Sequence, residues 1–399
     1  MTASGCVLAL NGGSSSLKFA VFPMEGETPL LQGKAERIGL KDSSLRITDG
    51  AGRQLADERR QFADHAAALK RVLEFVRGST PHKLSAAGHR VVRGGIGADD
   101  PELVTPELMR RIREMVPYLP DHLPHQIAAI EAVNEFEVAL PQVVCFDTAF
   151  HRTMPRVARW YGLPREMFQQ GILRYGYHGL SYEYVMSELA REAGEQAANG
   201  RVIIAHLGNG CSMAAIRERQ SVDTTMGFTP TGGMLMSTRC GDLDPEVILY
   251  LLAQRKLTPG EISEIINKKA GLAGVSGGRS DMRDVLENQA TDSRAAEAAE
   301  LFCYYAKKHL GALAAVLGGI ETLVFTAGIG ENASEIRERI CEGMGHLGLA
   351  IDSAANEKNA RVISTPGSAA SIRVIATNEE LMIARHTIRV MRATVTASG

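Results

Sequence analysis

Two short apolar runs, each interrupted by a tight Gly/Asn turn and then resumed, lie about half a chain apart and narrow what this sequence can fold into. Val7 to Leu10 ends at Asn11-Gly12-Gly13-Ser14-Ser15-Ser16, and Leu17 to Phe22 resumes a strand-like pattern. Arg201 to His206 runs into Leu207-Gly208-Asn209-Gly210-Cys211-Ser212, and Met213 to Ile216 follows as another strand. Apolar runs of this length bounded by Gly, Asn and Ser read as strand, turn, strand. Their recurrence predicts a duplicated α/β architecture with similar halves facing each other. A chain of 399 residues also exceeds one ordinary core, so two domains are expected.

Helical spacing is expected over His65 to Arg77, His125 to Glu137 and Arg294 to Leu317. Leu310, Leu313 and Leu317 share a stripe of the last, and Gly318-Gly319 can end it. A final helix starts at about Glu379, with Leu381, Ala384, Ile388 and Met391 on one face. The strand Gln142 to Phe146 delivers Asp147 at its end. Thr322 to Thr326 is a buried strand that empties into Ala327 to Asn332, with a helix beginning near Ala333. Asn332 and Glu335 have the spacing of an N-cap box. No long linker separates these elements, so the domains are expected to pack closely.

A formal charge of -2 gives no general attraction to nucleic acid or acidic membranes. Arg59-Arg60 and Arg110-Arg111-Ile112-Arg113 read as solvated helix faces. The six cysteines form no C-x-x-C pair, which fits reduced thiols rather than a zinc site or a disulfide framework. Ser4-Gly5-Cys6 resembles a lipoprotein cleavage site but lacks the charged and apolar leader, and no apolar stretch approaches a membrane span. A cytoplasmic protein is the expectation.

Successive backbone N–H groups in Gly/Ser-rich turns form concave anion sites. Three such turns occur, at Asn11–Ser16, Gly208–Ser212 and Gly328–Asn332, and Lys18 adds a point charge after the first. None matches a Walker loop or a dinucleotide fingerprint. Arg90 and Arg239, each read as flanked by glycines in a turn, are placed for bidentate capture of a carboxylate or phosphate, and His178 is held in a Gly-rich turn between Gly176-Tyr177 and Gly179. His122 and His125 invite a metal reading, which Pro124 between them argues against. Asp147 and Glu379 suit magnesium, which takes one or two carboxylates and keeps several waters on a nucleotide. These features point to an ATP-dependent phosphotransferase whose first hairpin, Asn11 to Lys18, holds the phosphates.

In chain order, Asn11-Gly-Gly-Ser-Ser-Ser-Leu-Lys18, Gly88-His-Arg-Val-Val92, Phe146-Asp-Thr-Ala-Phe-His151, Tyr175-Gly-Tyr-His-Gly179, His206-Leu-Gly-Asn-Gly210, Met226-Gly-Phe-Thr-Pro230, Ser237-Thr-Arg239, Asp281-Met-Arg283, Gly328-Ile-Gly-Glu-Asn332 and Thr377-Asn-Glu-Glu380 resemble the acetate kinase family. The resemblance spans essentially the whole chain. It implies the ASKHA (actin-like, ribonuclease H-like) fold, with duplicated βββαβα cores in two domains flanking a cleft. The N-terminal domain would comprise residues 1–149 plus about 376–399, and the C-terminal domain residues 150–375. The implied reaction is reversible, in-line phosphorylation of acetate by ATP, giving acetyl phosphate and ADP.

The same resemblance implies roles for the matched positions. Asn11 and Glu379 would bind Mg2+ (or Mn2+), and Lys18 would approach the phosphates. His206, Leu207, Gly208, Asn209 and Gly210 would frame ATP with Asp281, Met282 and Arg283, and with Gly328, Ile329, Gly330, Glu331 and Asn332. Arg90 would hold the acid, with Val92, His122 and Pro230 shaping its pocket. Asp147 would act near the metal or substrate, and His178 with Arg239 would stabilise the transition state. A homodimer is also implied. A carboxylate acceptor is already ionised, so catalysis reduces to positioning and charge stabilisation.

The chain departs from the family pattern at Asp121, Leu123-Pro124-His125, Arg93 and Tyr177. The extra acid and base either pair, leaving the pocket neutral, or reshape it for a larger or more polar acid. Propionate or another short acid is therefore the alternative substrate, and an actin- or Hsp70-like nucleotide switch the alternative of another class. Cys240, beside Arg239, raises the question of thiol sensitivity.

Overall fold

A computed structural model describes residues 5–13, 15–80, 82–95, 97 and 100–398; Ser4 and Ser14 lie outside them. The chain groups into two units, Met1–Ala149 with Asn378–Gly399, and Phe150–Thr377. No helix among the described residues is long and apolar enough to cross a membrane.

The first unit carries β1 (Gly5–Gly12), β2 (Ser16–Pro23), β3 (Leu31–Glu36), β4 (Ser44–Asp49), β5 (Gln54–Arg59), β6 (Lys83–Val91), β7 (Glu102–Leu103) and β8 (Gln142–Phe146). They form one sheet in the order β5-β4-β3-β2-β1-β6-β8-β7. Side chains alternate across a strand, so Cys6, Leu8 and Leu10 share a face with Leu17, Phe19 and Val21. That face packs on the helix His65–Ser79 through Leu69, Val72 and Val76, and on the helix Leu123–Phe136 through Ala129 and Val133. The C-terminal helix Glu379–Ser398 packs against β1, β6 and β8. It approaches so closely that a Cβ at Gly88 would lie 2.1 Å from Thr387 Oγ1.

The second unit carries β9 (Val202–Leu207), β10 (Cys211–Arg217), β11 (Gln220–Thr224), β12 (Thr322–Thr326) and β13 (Ser371–Val374), in the order β11-β10-β9-β12-β13. In each unit the first strand pairs antiparallel with the second and parallel with the strand on its other side. The run β3-β2-β1-β6-β8 thus has the same order and directions as β11-β10-β9-β12-β13. The duplication expected from the hairpins is present. Tyr182, Val185, Met186 and Leu189 of the helix Gly179–Ala193 pack on Val202, Ile204, Ala214 and Ile216, while the long helix Ser293–Leu317 lies against β9, β10 and β11.

Several local expectations change. Asn11 and Gly12 belong to β1 and Ser212 to β10, so both hairpin turns are tighter than the Gly/Ser runs implied. Arg59 ends β5 and Arg60 follows it, so that pair lies on no helix; Arg110, Arg111 and Arg113 do lie on the helix Pro106–Glu114. Gly328–Asn332 lies within a short helix, Ala327–Asn332. The next helix, Ser334–Cys341, starts from Ala333 with no side-chain cap, because Asn332 Nδ2 donates back to Gly328 O and Glu335 pairs with Arg339. Pro124 sits in the first turn of Leu123–Phe136, where its missing N–H leaves no bond unmade. Leu381, Met382, Ile383 and Ala384 are all buried, so the C-terminal helix opens with more than one covered face.

His89 on β6 is buried and shares a hydrogen bond of 2.8 Å with Gln142 Oε1. Burial pushes its imidazole down to about 4. Unfolded chains take up the proton near 6.5, so stability is complete above that pH and is lost as pH falls toward 4, by about 3 kcal/mol at most. Urea midpoints measured from pH 7.5 to 4.5 should fall across this window, and His89→Gln should flatten the fall.

Candidate active site

In the first unit β1, β6, β8 and the start of the C-terminal helix deliver four of the expected residues to one place. Asn11 lies on the last turnward stretch of β1, and its Nδ2 donates to Glu379 Oε2 at 2.8 Å and to Glu380 Oε1 at 2.9 Å. Arg90 is a strand residue of β6 rather than part of a turn. Its Nη2 donates to Asp147 Oδ2 at 2.7 Å, its Nη1 to Asn11 Oδ1 at 3.4 Å, and its Nε stands 3.9 Å from Glu379 Oε2. Burial alone would lower the Arg90 pKa, but Asp147, Glu379 and Glu380 together hold it above its ordinary value. Asp147 follows β8 and is fully buried.

Arg90 therefore faces three carboxylates, Asp147, Glu379 and Glu380, an excess of negative charge within this cluster. That excess fits a divalent cation. Among the described residues no three of His, Cys, Asp and Glu stand close enough to cage a metal alone. Mg2+ on a nucleotide needs only one or two carboxylates with waters, so the donor set suits it.

The remaining first-unit positions are less concentrated. Lys18 pairs in register with Asn11 across the β1–β2 hairpin and is exposed, lining a cavity of about 260 Å³ together with Lys34, Arg46 and Glu380. Val92 is buried, and its N–H donates to Gln126 Oε1. His122 occupies the N-cap position of Leu123–Phe136. Arg93 is buried with its guanidinium 5.8 Å from the Tyr118 ring centroid, which places it against an aromatic.

In the second unit His178 takes a left-handed conformation, φ 62°, immediately before the helix Gly179–Ala193. Its ring stacks on His206 at 4.0 Å between centroids. A Cβ added to Gly210 would stand 3.1 Å from Arg239 Nη2 and 3.3 Å from His178 Nε2. The bare face of Gly210 is thus what lets these two donors converge. Arg239 Nη1 donates to Pro230 O, which ties the two expected residues together. Asn209 O accepts from Ser237 N at 3.2 Å, joining the β9–β10 hairpin to the Arg239 loop. Tyr177 spends its additional hydroxyl on Phe228 O, at 2.8 Å, and so braces the Met226–Pro230 segment.

β12 pairs with β9 so that Thr326 stands opposite His206. A Cβ at Gly208 would lie 3.6 Å from Ala327 Cβ, so the Gly208–Gly210 and Gly328–Asn332 segments are neighbours. Within the latter, Glu331 Oε1 accepts from the N–H groups of Ala327 and Thr377, so this carboxylate is a structural tie. Ile329 and Gly330 complete that helical turn. Asp281 caps the helix Met282–Asn288 through Arg283 N; Met282 is buried and Arg283 exposed. Cys240 is half-buried, and burial raises its pKa. A protonated thiol is a poor nucleophile, so burial works against reactivity at this position.

Sequence reasoning gave no role to Glu380, Ser212, Tyr182 or His65. His65 is buried and donates its Nε2–H to Gly13 O at 2.7 Å, bracing the first hairpin from a helix 52 positions on. Nothing local signals that contact. Glu380 could have been suspected, since it directly follows Glu379.

A β core repeated in both units, each with a glycine hairpin joining its first two strands, with an arginine–carboxylate cluster in the first unit and a paired arginine and histidine in the second, defines a phosphotransferase of the actin-like α/β class. The chain belongs to the acetokinase family, whose profile matches residues 6–385. Acetate kinases of Methylocella silvestris and Rhodopseudomonas palustris are each 44% identical to it, over 97% of this chain and 98% of their own. Among solved structures, the acetate kinase of Porphyromonas gingivalis matches with a TM-score of 0.86 at 36% identity. The propionate kinase of Francisella tularensis matches with a TM-score of 0.90 at 35% identity, and both cover 97% of this chain and 100% of the neighbour.

Proposed function

We propose that the chain transfers the γ-phosphoryl group of ATP to acetate, reversibly, giving acetyl phosphate and ADP. The observation that carries this reading is the pair of donors, His178 Nε2 and Arg239 Nη2, brought together over Gly210. An acetate oxygen already bears its charge at neutral pH and needs no base. What opposes reaction is an anion approaching an anion, and preorganised positive donors lower that barrier.

In this reading Arg90 holds the acid, and Asp147, bonded to it, fixes the guanidinium. Asn11 and Glu379 hold Mg2+, which when bound supplies charge to the phosphates. Lys18 reaches the phosphate tail. His206–Gly210, Gly328–Asn332 and Asp281–Arg283 frame the nucleotide, and Val92, His122 and Pro230 wall the acyl group. A hydroxamate assay across acetate, propionate, butyrate and glycerol tests the proposal. Turnover highest with acetate supports it; a preference for propionate moves the substrate, and ATP hydrolysis indifferent to any acid overturns it.

A homodimer completes the reading. The helix Pro245–Ala253 is apolar along most of its length, yet none of its residues is buried, and Leu249 and Tyr250 are 53% and 52% exposed. Such a face needs cover. A second copy of the chain is the occupant we infer. Light scattering should give twice the 43.0 kDa chain mass, and Leu249→Glu with Tyr250→Glu should return it to a single chain.

A further inference from the structure

The backbone at His178 leaves its ring to be oriented by what lies behind it. His178 Nδ1 is 2.8 Å from Ser212 Oγ, and Ser212 Oγ in turn meets the Tyr182 hydroxyl. Both partners are fully buried. His206, stacked on the same ring, has its own Nδ1 2.8 Å from Ser181 Oγ. Two imidazolium rings 4.0 Å apart would repel by about 4 kcal/mol at an effective dielectric of 20, which disfavours charging both.

A serine hydroxyl has one proton and two lone pairs, and if the Ser212 proton is spent on one of its two partners this line of three groups runs in one of two directions. If Tyr182 donates to Ser212 and Ser212 donates to Nδ1, the hydrogen of the neutral imidazole sits on Nε2. If Nδ1 donates instead, Nε2 carries a lone pair. A phenol is a stronger donor and a weaker acceptor than an aliphatic alcohol, which selects the first direction. The second would also aim a lone pair, beside Arg239, at oxygens that gain negative charge. We propose that Ser212 and Tyr182 are positioning residues that hold His178 as its Nε2–H tautomer, so that it meets a phosphoryl group as a donor. This rests on the reading of His178 as a donor in phosphoryl transfer.

Long-range 15N–1H correlation of histidine-labelled protein reads the tautomer directly. The intact protein should show His178 protonated at Nε2, and Ser212→Ala should give a mixture of tautomers. Ser212→Ala should also lower kcat by about 10- to 100-fold, with KM for ATP and acid changed by less than about threefold. Ser212→Thr, which keeps the hydroxyl, should restore most of the rate. Tyr182→Phe should lose less, and the double variant should be no worse than Ser212→Ala, because the Tyr182 hydroxyl reaches His178 through Ser212. A proton on Nδ1 in the intact protein, or a tautomer and kcat untouched by Ser212→Ala, overturns the inference. His178→Ala separates the two readings. If it keeps turnover, the assignment of His178 fails; if it abolishes turnover while Ser212→Ala does nothing, only the relay fails.

Discussion

Replacing Arg239 or His178 with alanine is expected to lower kcat by a factor on the order of 10²–10³ while the far-ultraviolet circular dichroism and melting temperature stay near those of the intact protein. Both side chains reach the bare face of Gly210 from different segments, one from the Ser237–Asp242 loop and one from the residue before the helix Gly179–Ala193. Arg239 is half-buried, and its Nη1 donates to the Pro230 carbonyl. Their contribution should grow as charge spreads over the transferring phosphoryl group, so it belongs in kcat more than in KM. Arg239→Lys should recover only part of the rate, because an ammonium cannot reach Pro230 O and a phosphoryl oxygen with the same planar fork. Gly210→Ala should mimic either loss, since its methyl group would meet both donors at 3.1 and 3.3 Å. An alanine variant with near-normal turnover would remove that residue from the mechanism.

Much of this arrangement was legible in the sequence because strand ends are marked locally. Gln142–Phe146 and Thr322–Thr326 are apolar runs that stop at a polar or small residue, and both occur with those boundaries. Glycine was harder to read, because it signals either a turn or a close approach. Near Arg90 it reads as a turn signal. Gly88 is instead in mid-strand, and its missing side chain makes room for Ile383 and Thr387 of the C-terminal helix. Near His178 the turn reading was right, since Gly176 has φ 75° and His178 itself is left-handed. Arg59 failed for another reason: β5 is an exposed strand whose polar side chains leave no apolar alternation to detect. Ser212 was hidden inside a phosphate-like motif, where its hydroxyl turns inward to Nδ1 of His178.

Arg337 shows the same limit at greater cost to prediction and leads to the second large expected effect. It is wholly buried in the helix Ser334–Cys341, and no acidic residue among the described residues accepts from it. Its guanidinium donates to Gly330 O at 2.9 Å, Asn356 Oδ1 at 2.7 Å, Asn356 O at 2.8 Å and Asn359 Oδ1 at 2.6 Å. Burial pulls its pKa down to about 10, so it remains a cation at neutral pH. Arg337→Leu would relieve the burial of that charge but leave three buried acceptors, Gly330 O and Asn356 Oδ1 and O, with a partner gone, each worth about 1–3 kcal/mol. The second effect wins, and a net loss of about 3–5 kcal/mol is expected. For a unit of this size that lowers the melting temperature by roughly 10 °C. Arg191→Leu, which removes an arginine paired with Glu188 on the surface, should stay within about 0.5 kcal/mol. Because one lost bond ends at Gly330, inside the segment proposed to frame the nucleotide, the folded fraction of Arg337→Leu should show a raised KM for ATP and an unchanged KM for acetate. Equal changes in both would mean that Arg337 supports the unit as a whole and has no particular hold on the nucleotide segment.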